Sequence, residues 1–237
     1  MTAGQVLYLL PGLLCDETIW SRQIGDLKRP DLDIRVADFS DQDSIVAMAQ
    51  HVLAKAPAHF ALAGHSMGAR VAIEVVRAAP DRVERLALLD TGVHPQRSGE
   101  AESRAALVTL ARTEGMAALA AKWLPPMVHP ERVGDRALME ALGAMVERKS
   151  VAIFERQVRA LLGRPDAAPV LKDIRCPVLI GVGRQDAWSP LAQHEAMAAA
   201  IPQAKLMVFE ASGHMAPMEA PSAVTSALAA WLGATAA

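Results

Sequence analysis

The sequence predicts an α/β fold in which a mainly parallel sheet of about six strands carries helices on both faces. Three observations support this prediction: short apolar runs alternate with segments of helical periodicity, the runs lack strict polar alternation, and one long segment has helical patterns only. Continuous apolar runs are typical of strands buried on both faces. The length of 237 residues and the 52% hydrophobic content suit one such domain with an insertion.

Each predicted strand is a short apolar run that stops at polar or turn-forming residues. Helical spacing lies between the runs, for example in segments 44–55 and 69–79. The first of these starts at an Asp-Ser pair and places Ile45, Met48 and Val52 on one face. This order of elements indicates a parallel sheet. The six predicted strands occupy residues 6–10, 32–37, 60–63, 86–90, 178–182 and 205–209.

The alternation of strands and helices stops once, between residues 92 and 169. This segment is rich in Ala, Leu and Arg and has helical periodicity. Gly115, three prolines between positions 125 and 130, and a Gly-Arg-Pro triplet would divide it into about four helices. We therefore predict a core domain of residues 1–91 and 170–237, with a helical cap subdomain of residues 92–169 inserted into it.

Charge and composition argue against several classes of partner. The chain has a formal net charge of -2 and no basic cluster, so we expect neither nucleic acid nor a membrane as partner. Two cysteines, Cys15 and Cys176, are too few for a secreted disulfide scaffold. Pro11 and Gly12 interrupt the amino-terminal apolar run, which is not typical of a signal peptide. These features predict a soluble cytoplasmic protein, and they do not indicate its oligomeric state.

Residues 64–68, Gly-His-Ser-Met-Gly, carry the first sign of chemistry. They match the pattern G-x-S-x-G, with a predicted strand before them and a predicted helix after them. At such a turn the serine is conformationally strained, and the flanking glycines avoid clashes between the adjoining elements. The Ser66 hydroxyl would then project from the carboxyl edge of the sheet, beside the Met67 N–H at the helix start. The alternative is an ordinary turn with a serine helix cap.

A serine hydroxyl is too weakly acidic to attack unaided, so Ser66 needs a base and a group that orients the base. Asp186 follows one predicted strand and His214 follows the next, so both belong at the same sheet edge as Ser66. Ser, Asp and His in this chain order are one of the known arrangements of a catalytic triad.

Five stretches resemble the α/β-hydrolase family, specifically its compact esterase-like group with a helical cap. The resemblance covers nearly the full chain and implies an α/β-hydrolase fold from which the family's amino-terminal hairpin is missing. The stretches that carry it are LYLLPGLLCDETIW, GHSMG, LALLD, GVGRQDAWSP and SGHMAPMEAP.

By that resemblance Ser66 is the nucleophile, His214 is the base and later the acid, and Asp186 orients the histidine. The backbone N–H groups of Leu13 and Met67 would form the oxyanion hole.

Two positions depart from the usual pattern or compete with it. Some relatives place the acid at the position of Asp90, although the GRQDAWSP context favours Asp186. The family usually has His-Gly where this chain has Pro11-Gly12, so the main-chain donor is kept while that histidine's hydrogen bonds are lost.

We expect no cofactor and no metal ion. Gly12 and Gly64 belong to no G-x-G-x-x-G or Walker pattern, and the histidines form no ligand set with cysteine. His65 is expected to pack beside the nucleophile, and Cys15 to be structural. A serine at the nucleophile position argues against dehalogenases and epoxide hydrolases, which need an aspartate there.

The predicted cap supplies candidates for a substrate pocket. Trp123, Met127 and Phe154 from the inserted helices, with Trp188 beside the proposed acid, would form a mostly apolar wall over Ser66. No motif places a pair of arginines or lysines to bind a large anion, so we expect a small, uncharged, partly apolar carboxylic ester. Lactones, thioesters, C–C bonds and perhydrolysis would use the same three residues. A small-molecule receptor on this scaffold is the alternative from a different class.

Overall fold

A computed structural model describes residues 4–233 and contains one six-stranded sheet with the strand order β2-β1-β3-β4-β5-β6. All five pairs of neighbouring strands are parallel. The predicted α/β class is therefore confirmed. The strands are β1 (Gln5–Leu10), β2 (Leu32–Val36), β3 (Phe60–His65), β4 (Val83–Leu89), β5 (Val178–Gly183) and β6 (Ala204–Phe209).

All six predicted strands are present, and the largest difference is the start of β4. The prediction begins at residue 86, whereas the strand begins at Val83, because Glu84 and Arg85 interrupt the apolar pattern at its more exposed end. The central strand β3 is buried along its whole length. Fully burying an aliphatic or aromatic side chain contributes about 1.5–3 kcal/mol, so this strand anchors the core.

The helices follow the predicted alternation. Ser44 caps α2 by accepting a hydrogen bond from the Ala47 N–H at 3.1 Å, which explains the helix start at the Asp-Ser pair. The helices are α1 (Ser21–Leu27), α2 (Ile45–Lys55), α3 (Met67–Ala78), α4 (Glu100–Trp123), α5 (Arg136–Glu147), α6 (Val151–Leu162), α7 (Ala168–Leu171), α8 (Leu191–Ala200), α9 (Ala216–Glu219) and α10 (Pro221–Gly233).

The chain changes direction across the sheet at β1. β1 connects to β2 on one side, and the chain then crosses to β3 on the other side. Right-handed crossovers in opposite directions place their helices on opposite faces, in agreement with the packing of α1 on α10 and of α2 on α3. The loops after β1 and β3 therefore diverge and open a crevice at the carboxyl edge of the sheet, the usual place for a ligand site.

Helices α4 to α7 all lie between β4 and β5, in the segment where only helical patterns were found. Gly115 interrupts α4 with φ 88° and ψ 174°, so α4 consists of two helical stretches and the segment holds five stretches where about four were predicted. The break between α5 and α6 was missed because residues 148–150 contain neither glycine nor proline. The division into core domain and cap subdomain stays a prediction, and its ends at residues 1–3 and 234–237 lie outside the described residues. In the range 4–233 no helix combines the length and apolar character required to cross a bilayer.

Candidate active site

Ser66 lies at a sharp turn between β3 and α3. Its backbone has φ 53° and ψ -114°, and its N–H donates to the Leu89 carbonyl at 2.9 Å. A non-glycine residue in the left-handed region costs about 1–3 kcal/mol and persists only where the surroundings hold it. Here the strand, the helix and the bond to β4 hold it, which is the strand–turn–helix arrangement that the G-x-S-x-G pattern predicts.

The two glycines of the motif are required by close approaches of the backbone. A Cβ atom on Gly64 would lie 2.5 Å from the backbone of Ala69. A Cβ atom on Gly68 would overlap the carbonyl of Leu10, at the end of β1. A side chain at either position would push α3 away from the sheet and move Ser66 from the edge.

Three residues predicted to act together are joined by hydrogen bonds. Ser66 Oγ lies 2.8 Å from His214 Nε2, and His214 Nδ1 lies 2.8 Å from Asp186 Oδ2. Asp186 and His214 are only 3% and 4% exposed. Because the carboxylate accepts at Nδ1, that nitrogen carries the proton and Nε2 is free to accept from the serine hydroxyl.

Asp186 is held by the backbone that follows it. Its Oδ1 atom accepts hydrogen bonds from the N–H groups of Trp188 at 2.8 Å and Ser189 at 2.9 Å. Burial by itself would raise the pKa of Asp186, but the interaction with His214 and these hydrogen bonds outweigh it and lower the pKa below its usual value. Asp186 is therefore the ionised partner of the histidine at neutral pH.

Asp90, the rival acid, has different surroundings. Its Oδ1 atom accepts from the Gly183 N–H at 2.9 Å, and its Oδ2 atom lies 3.9 Å from His65 Nε2. Burial and the nearby charge of Asp186 raise the pKa of Asp90 well above its usual value. A carboxyl group that resists ionisation and contacts no nitrogen of His214 is a poor orienting acid, so the geometry favours Asp186.

The predicted oxyanion donors, Leu13 and Met67, both line the cavity that contains Ser66. Met67 is the first residue of α3, so its N–H belongs to the helix terminus that lacks intrahelical acceptors. The loop that carries Leu13 is held by the next residue, since the Leu14 N–H donates to Gln157 Oε1 at 2.8 Å. This loop also approaches the nucleophile closely: a Cβ atom on Gly12 would lie 3.3 Å from the Ser66 Cβ.

His65 packs behind the site. Its Nε2–H donates to the His214 carbonyl at 2.8 Å, which holds the backbone of that residue in place. Burial, and then the nearby His214, lower the pKa of His65 to about 3, so its ring is neutral. A neutral ring in this position acts as a packing and positioning group, in line with the sequence analysis.

A cavity of about 430 Å³ lies over Ser66. Trp123, Met127 and Trp188 line it, and the rings of Trp123 and Trp188 meet edge to face with centroids 6.4 Å apart. Phe154 does not line it, so this part of the predicted pocket is corrected. The reason is that Phe154 lies on the core-facing side of α6 and is only 1% exposed.

The sequence analysis did not find the charged part of the cavity wall. Four arginines and one glutamate, all in the wall, form what we call the arginine cluster. Arg97, Glu100 and Arg104 lie within eight residues of one another, whereas Arg70 and Arg164 are distant along the chain, and the five belong to no motif. The packing of the helical segment on α3 brings the three parts together. The cluster consists of Arg70, Arg97, Glu100, Arg104 and Arg164.

Glu219 is a buried residue that the sequence analysis missed. Its Oε1 atom accepts from the N–H groups of Gly213 and Met215, each at 3.0 Å, and its Oε2 atom accepts from the His129 N–H at 2.6 Å. It thereby ties both neighbours of His214 to the helical segment. The available signal was a lone carboxylate among small and apolar residues in SGHMAPMEAP.

His194 is a second positioning group that sequence reasoning missed. Its Nε2 atom accepts from the Thr91 N–H at 2.9 Å, and burial lowers its pKa to about 4, so the ring is neutral. Thr91 in turn donates from its hydroxyl to the Ser66 carbonyl at 3.0 Å. His194 and Thr91 together therefore hold the backbone of the serine turn in place.

Cys15 and the possible metal ligands are the last residue types to consider as reactive groups. Burial, and then the charge of Asp16, raise the pKa of the Cys15 thiol to about 12, so it stays protonated. Across residues 4–233, no three His, Cys, Asp or Glu side chains converge in a way that could hold a metal ion.

The chain is similar to known proteins over most of its length. The model of a family described as "Alpha/beta hydrolase family" matches residues 7–228. AB hydrolase superfamily protein YclE of Bacillus subtilis (strain 168) is 28% identical over 187 residues, which cover 71% of this chain and 66% of YclE. The chain thus spans slightly less than two thirds of that curated relative.

Two solved structures are similar over almost the whole chain. A thermophilic esterase from Thermogutta terrifontis, solved with malate bound, is 28% identical with a TM-score of 0.85, over 97% of this chain and 90% of that one. The enol-lactonase from Burkholderia xenovorans LB400 is 22% identical with a TM-score of 0.87, over 98% of this chain and 92% of that one. The second similarity is one of fold alone.

Proposed function

The chain belongs to the alpha/beta hydrolase family, and from this premise we propose that it is a serine hydrolase that cleaves a small carboxylic ester. The nucleophile is Ser66, the general base and acid is His214, and the orienting carboxylate is Asp186. The similar esterase from Thermogutta terrifontis supports an ester as the bond that is cleaved.

One observation carries the proposal: the hydrogen-bonded series from Ser66 through His214 to Asp186, with 2.8 Å at both steps. These distances are within the range in which a base takes a proton from a nucleophile. Asp186 and His214 are buried, and Ser66 opens onto a cavity of about 430 Å³, a volume suited to a small molecule.

The first half-reaction forms an acyl-enzyme. Ser66 Oγ attacks the ester carbonyl carbon while its proton passes to His214 Nε2, and the carbonyl π electrons move to oxygen. The N–H groups of Leu13 and Met67 stabilise this oxyanion. When the tetrahedral intermediate collapses, the bond to the alkoxy group breaks, and the proton on His214 passes to the departing alcohol.

The second half-reaction repeats these steps with water. His214 Nε2 takes a proton from the water, whose oxygen attacks the acyl carbon. Collapse of the second intermediate breaks the bond to Ser66 Oγ, which recovers its proton from His214. Asp186 stays ionised throughout and stabilises the imidazolium that forms in both halves.

The apolar part of the cavity wall suits a partly apolar substrate. Trp123, Met127 and Trp188 contribute rings and a thioether to it and limit access of water to the acyl-enzyme. A cytoplasmic location belongs to this proposal, and it is supported by two cysteines that are both free.

Hydrolysis of 4-nitrophenyl butyrate by the wild type and by Ser66→Ala tests the proposal. We expect the variant to lose at least about 10⁴-fold in turnover, since it has no nucleophile. Circular dichroism provides the folding control. Retention of most of the activity in a folded variant would refute the assignment of Ser66.

A fluorophosphonate probe distinguishes an enzyme from a receptor on the same scaffold. We expect a rapid covalent adduct on Ser66, because the hydrogen bond to His214 activates the hydroxyl. Absence of labelling in a folded protein, together with absence of turnover, would favour a receptor.

A further inference from the structure

The arginine cluster lies in the same cavity wall as Ser66, yet the reaction described above does not use it. Within residues 4–233, Glu100 is the only carboxylate among the residues that line this cavity. Four guanidinium groups and one carboxylate leave an excess of three positive charges at neutral pH. Such an excess in a partly enclosed space attracts anions.

Glu100 neutralises only part of the cluster. Arg164 donates to both of its carboxylate oxygens, at 2.7 and 2.6 Å, and Arg104 Nε donates to it at 2.9 Å. Burial by itself would raise the pKa of Glu100, but these bonds and one from the Arg97 backbone lower it to about 2. The carboxylate is therefore ionised and already shared between two arginines.

In the range 4–233 the side chains of Arg97 and Arg70 form no ion pair. Arg97 is exposed to solvent, which leaves Arg70 as the half-buried member of the cluster without an anionic partner. In the described part of the chain it makes one hydrogen bond, from Nη1 to the His94 carbonyl at 2.9 Å, and no ion pair. Burial, and then the charge of Arg164, lower the pKa of Arg70 to about 9. A largely buried cation without a counterion is unfavourable, and its remaining N–H donors are left to the cavity.

We propose that Arg70, with Arg97 and Arg104 beside it, binds a carboxylate group that the substrate carries away from its ester bond. This inference rests on the proposed function and narrows its substrate class to anionic esters. It replaces the uncharged substrate that the sequence predicts. The planar fork of guanidinium donors matches the two oxygens of a carboxylate.

The position of Arg70 relative to Ser66 suits this role. Arg70 follows Ser66 by four residues, so one turn of α3, about 6 Å along the axis, separates them. A substrate whose carboxylate is a short chain or one ring away from the ester can therefore contact both residues. Binding of the carboxylate would hold the ester carbonyl at Ser66 and raise kcat/KM.

Two matched pairs of esters test the inference, one for each side of the scissile bond. The first pair is mono-4-nitrophenyl adipate and its methyl-capped diester. The second pair is 4-acetoxybenzoate and its methyl ester. For each pair the measured quantity is the ratio of kcat/KM for the free carboxylate to kcat/KM for the capped compound, after subtraction of spontaneous hydrolysis.

We expect the wild type to prefer the free carboxylate in at least one pair. Arg70→Gln should reduce that ratio about 10-fold or more, because a hydrogen bond to a charged group is lost. Arg70→Lys keeps the charge without the fork and should retain part of the preference. If Arg70→Gln does not fold, the ratio for Arg70→Lys is compared with that of the wild type. The expected decrease in the ratio is then smaller, but it tests the same inference.

Arg77→Gln is the matched control. Arg77 lies on the same helix, pairs with Glu74 at 2.9 Å and does not line the cavity. This variant loses the same charge, so its ratio should equal that of the wild type. A merely structural role of Arg70 would lower activity on both members of a pair and leave the ratio unchanged.

The outcomes separate this inference from the proposed function. A ratio that is the same in the wild type and Arg70→Gln for both pairs, with activity that depends on Ser66, overturns the carboxylate site alone. Activity that survives Ser66→Ala overturns the proposed function, whatever the ratio is.

Discussion

Two parts of one cavity wall, the serine site and the arginine cluster, differ in origin and in how they are held. Ser66, Asp186 and His214 follow strands β3, β5 and β6, and main-chain groups of the core fix their positions. The arginine cluster comes from α3 and from the helical segment between β4 and β5, and side-chain pairs around Glu100 hold most of it.

In the proposed function the serine site supplies reactivity, and the arginine cluster supplies selectivity. A parallel sheet brings the ends of distant strands to one edge at fixed spacing, which suits groups whose geometry must be accurate. An inserted helical segment can change its side chains without disturbing that edge. We therefore expect variants of the serine site to change turnover, and variants of the cluster to change stability and selectivity.

After Ser66→Ala, the largest effect should come from Asp186→Asn. An amide in place of the carboxylate favours the wrong tautomer of His214 and cannot stabilise its charged form, so kcat/KM should fall about 10³- to 10⁴-fold. The fall in kcat/KM is measured with 4-nitrophenyl butyrate as the substrate.

Asp90→Asn is the matched control for this substitution. Its amide oxygen can still accept from the Gly183 N–H, so the loss should stay below about 10-fold. If Asp90→Asn were the more damaging of the two, the acid of the serine site would be Asp90.

Glu219→Gln should have an intermediate effect, on stability and on turnover. An amide group must turn its NH₂ toward one of the backbone N–H groups that Glu219 now accepts from, which costs about 1–3 kcal/mol. Because Glu219 also holds both neighbours of His214, the His214 ring should move away from Ser66 in this variant. This displacement should lower kcat/KM about 10-fold. Urea unfolding and ester hydrolysis measure the two effects.

Glu210→Gln controls for the loss of a carboxylate near His214. Glu210 is an exposed residue that pairs with Arg184, so its substitution should leave stability nearly unchanged. Equal losses in the two variants would refute a positioning role for Glu219.

The smallest effect should come from Glu100→Gln, which acts on the cluster. The folded pKa of Glu100 is about 2 and the ordinary value is 4.5, so the carboxylate stabilises the fold above pH 4.5. We expect a loss of about 1–2 kcal/mol at pH 7 after solvent screening. The difference from the wild type should shrink as the pH falls from 4.5 toward 2.

Urea unfolding at pH 7, 4 and 3 measures this dependence. Glu140→Gln is the control, because the Arg136–Glu140 pair is highly exposed and should contribute less than about 0.5 kcal/mol. A difference for Glu100→Gln that grew toward low pH would contradict the role assigned to that carboxylate.

Local patterns were sufficient to predict most of the fold. All six strands were found because strands buried on both faces need continuous apolar runs, and Ser66 was found because its sharp turn needs glycines on both sides. The start of β4 was misplaced because Glu84 and Arg85 break the run at an exposed strand end.

Contacts between distant segments account for what the sequence did not reveal. Phe154 and Arg164 both lie in the inserted segment, and nothing in their local surroundings shows that the ring faces the core while the guanidinium faces the cavity. Glu219 likewise has three partners whose convergence depends on how the helical segment packs on the core.

The amino-acid order thus determines the strands, their alternation with helices and the serine turn, because periodicity and turn chemistry act over a few residues. The 2.8 Å spacings of the serine site and the grouping of the arginines arise only when the folded chain joins residues up to 148 positions apart. Distances between side chains depend on the packing of whole elements, and no short stretch of sequence contains that information.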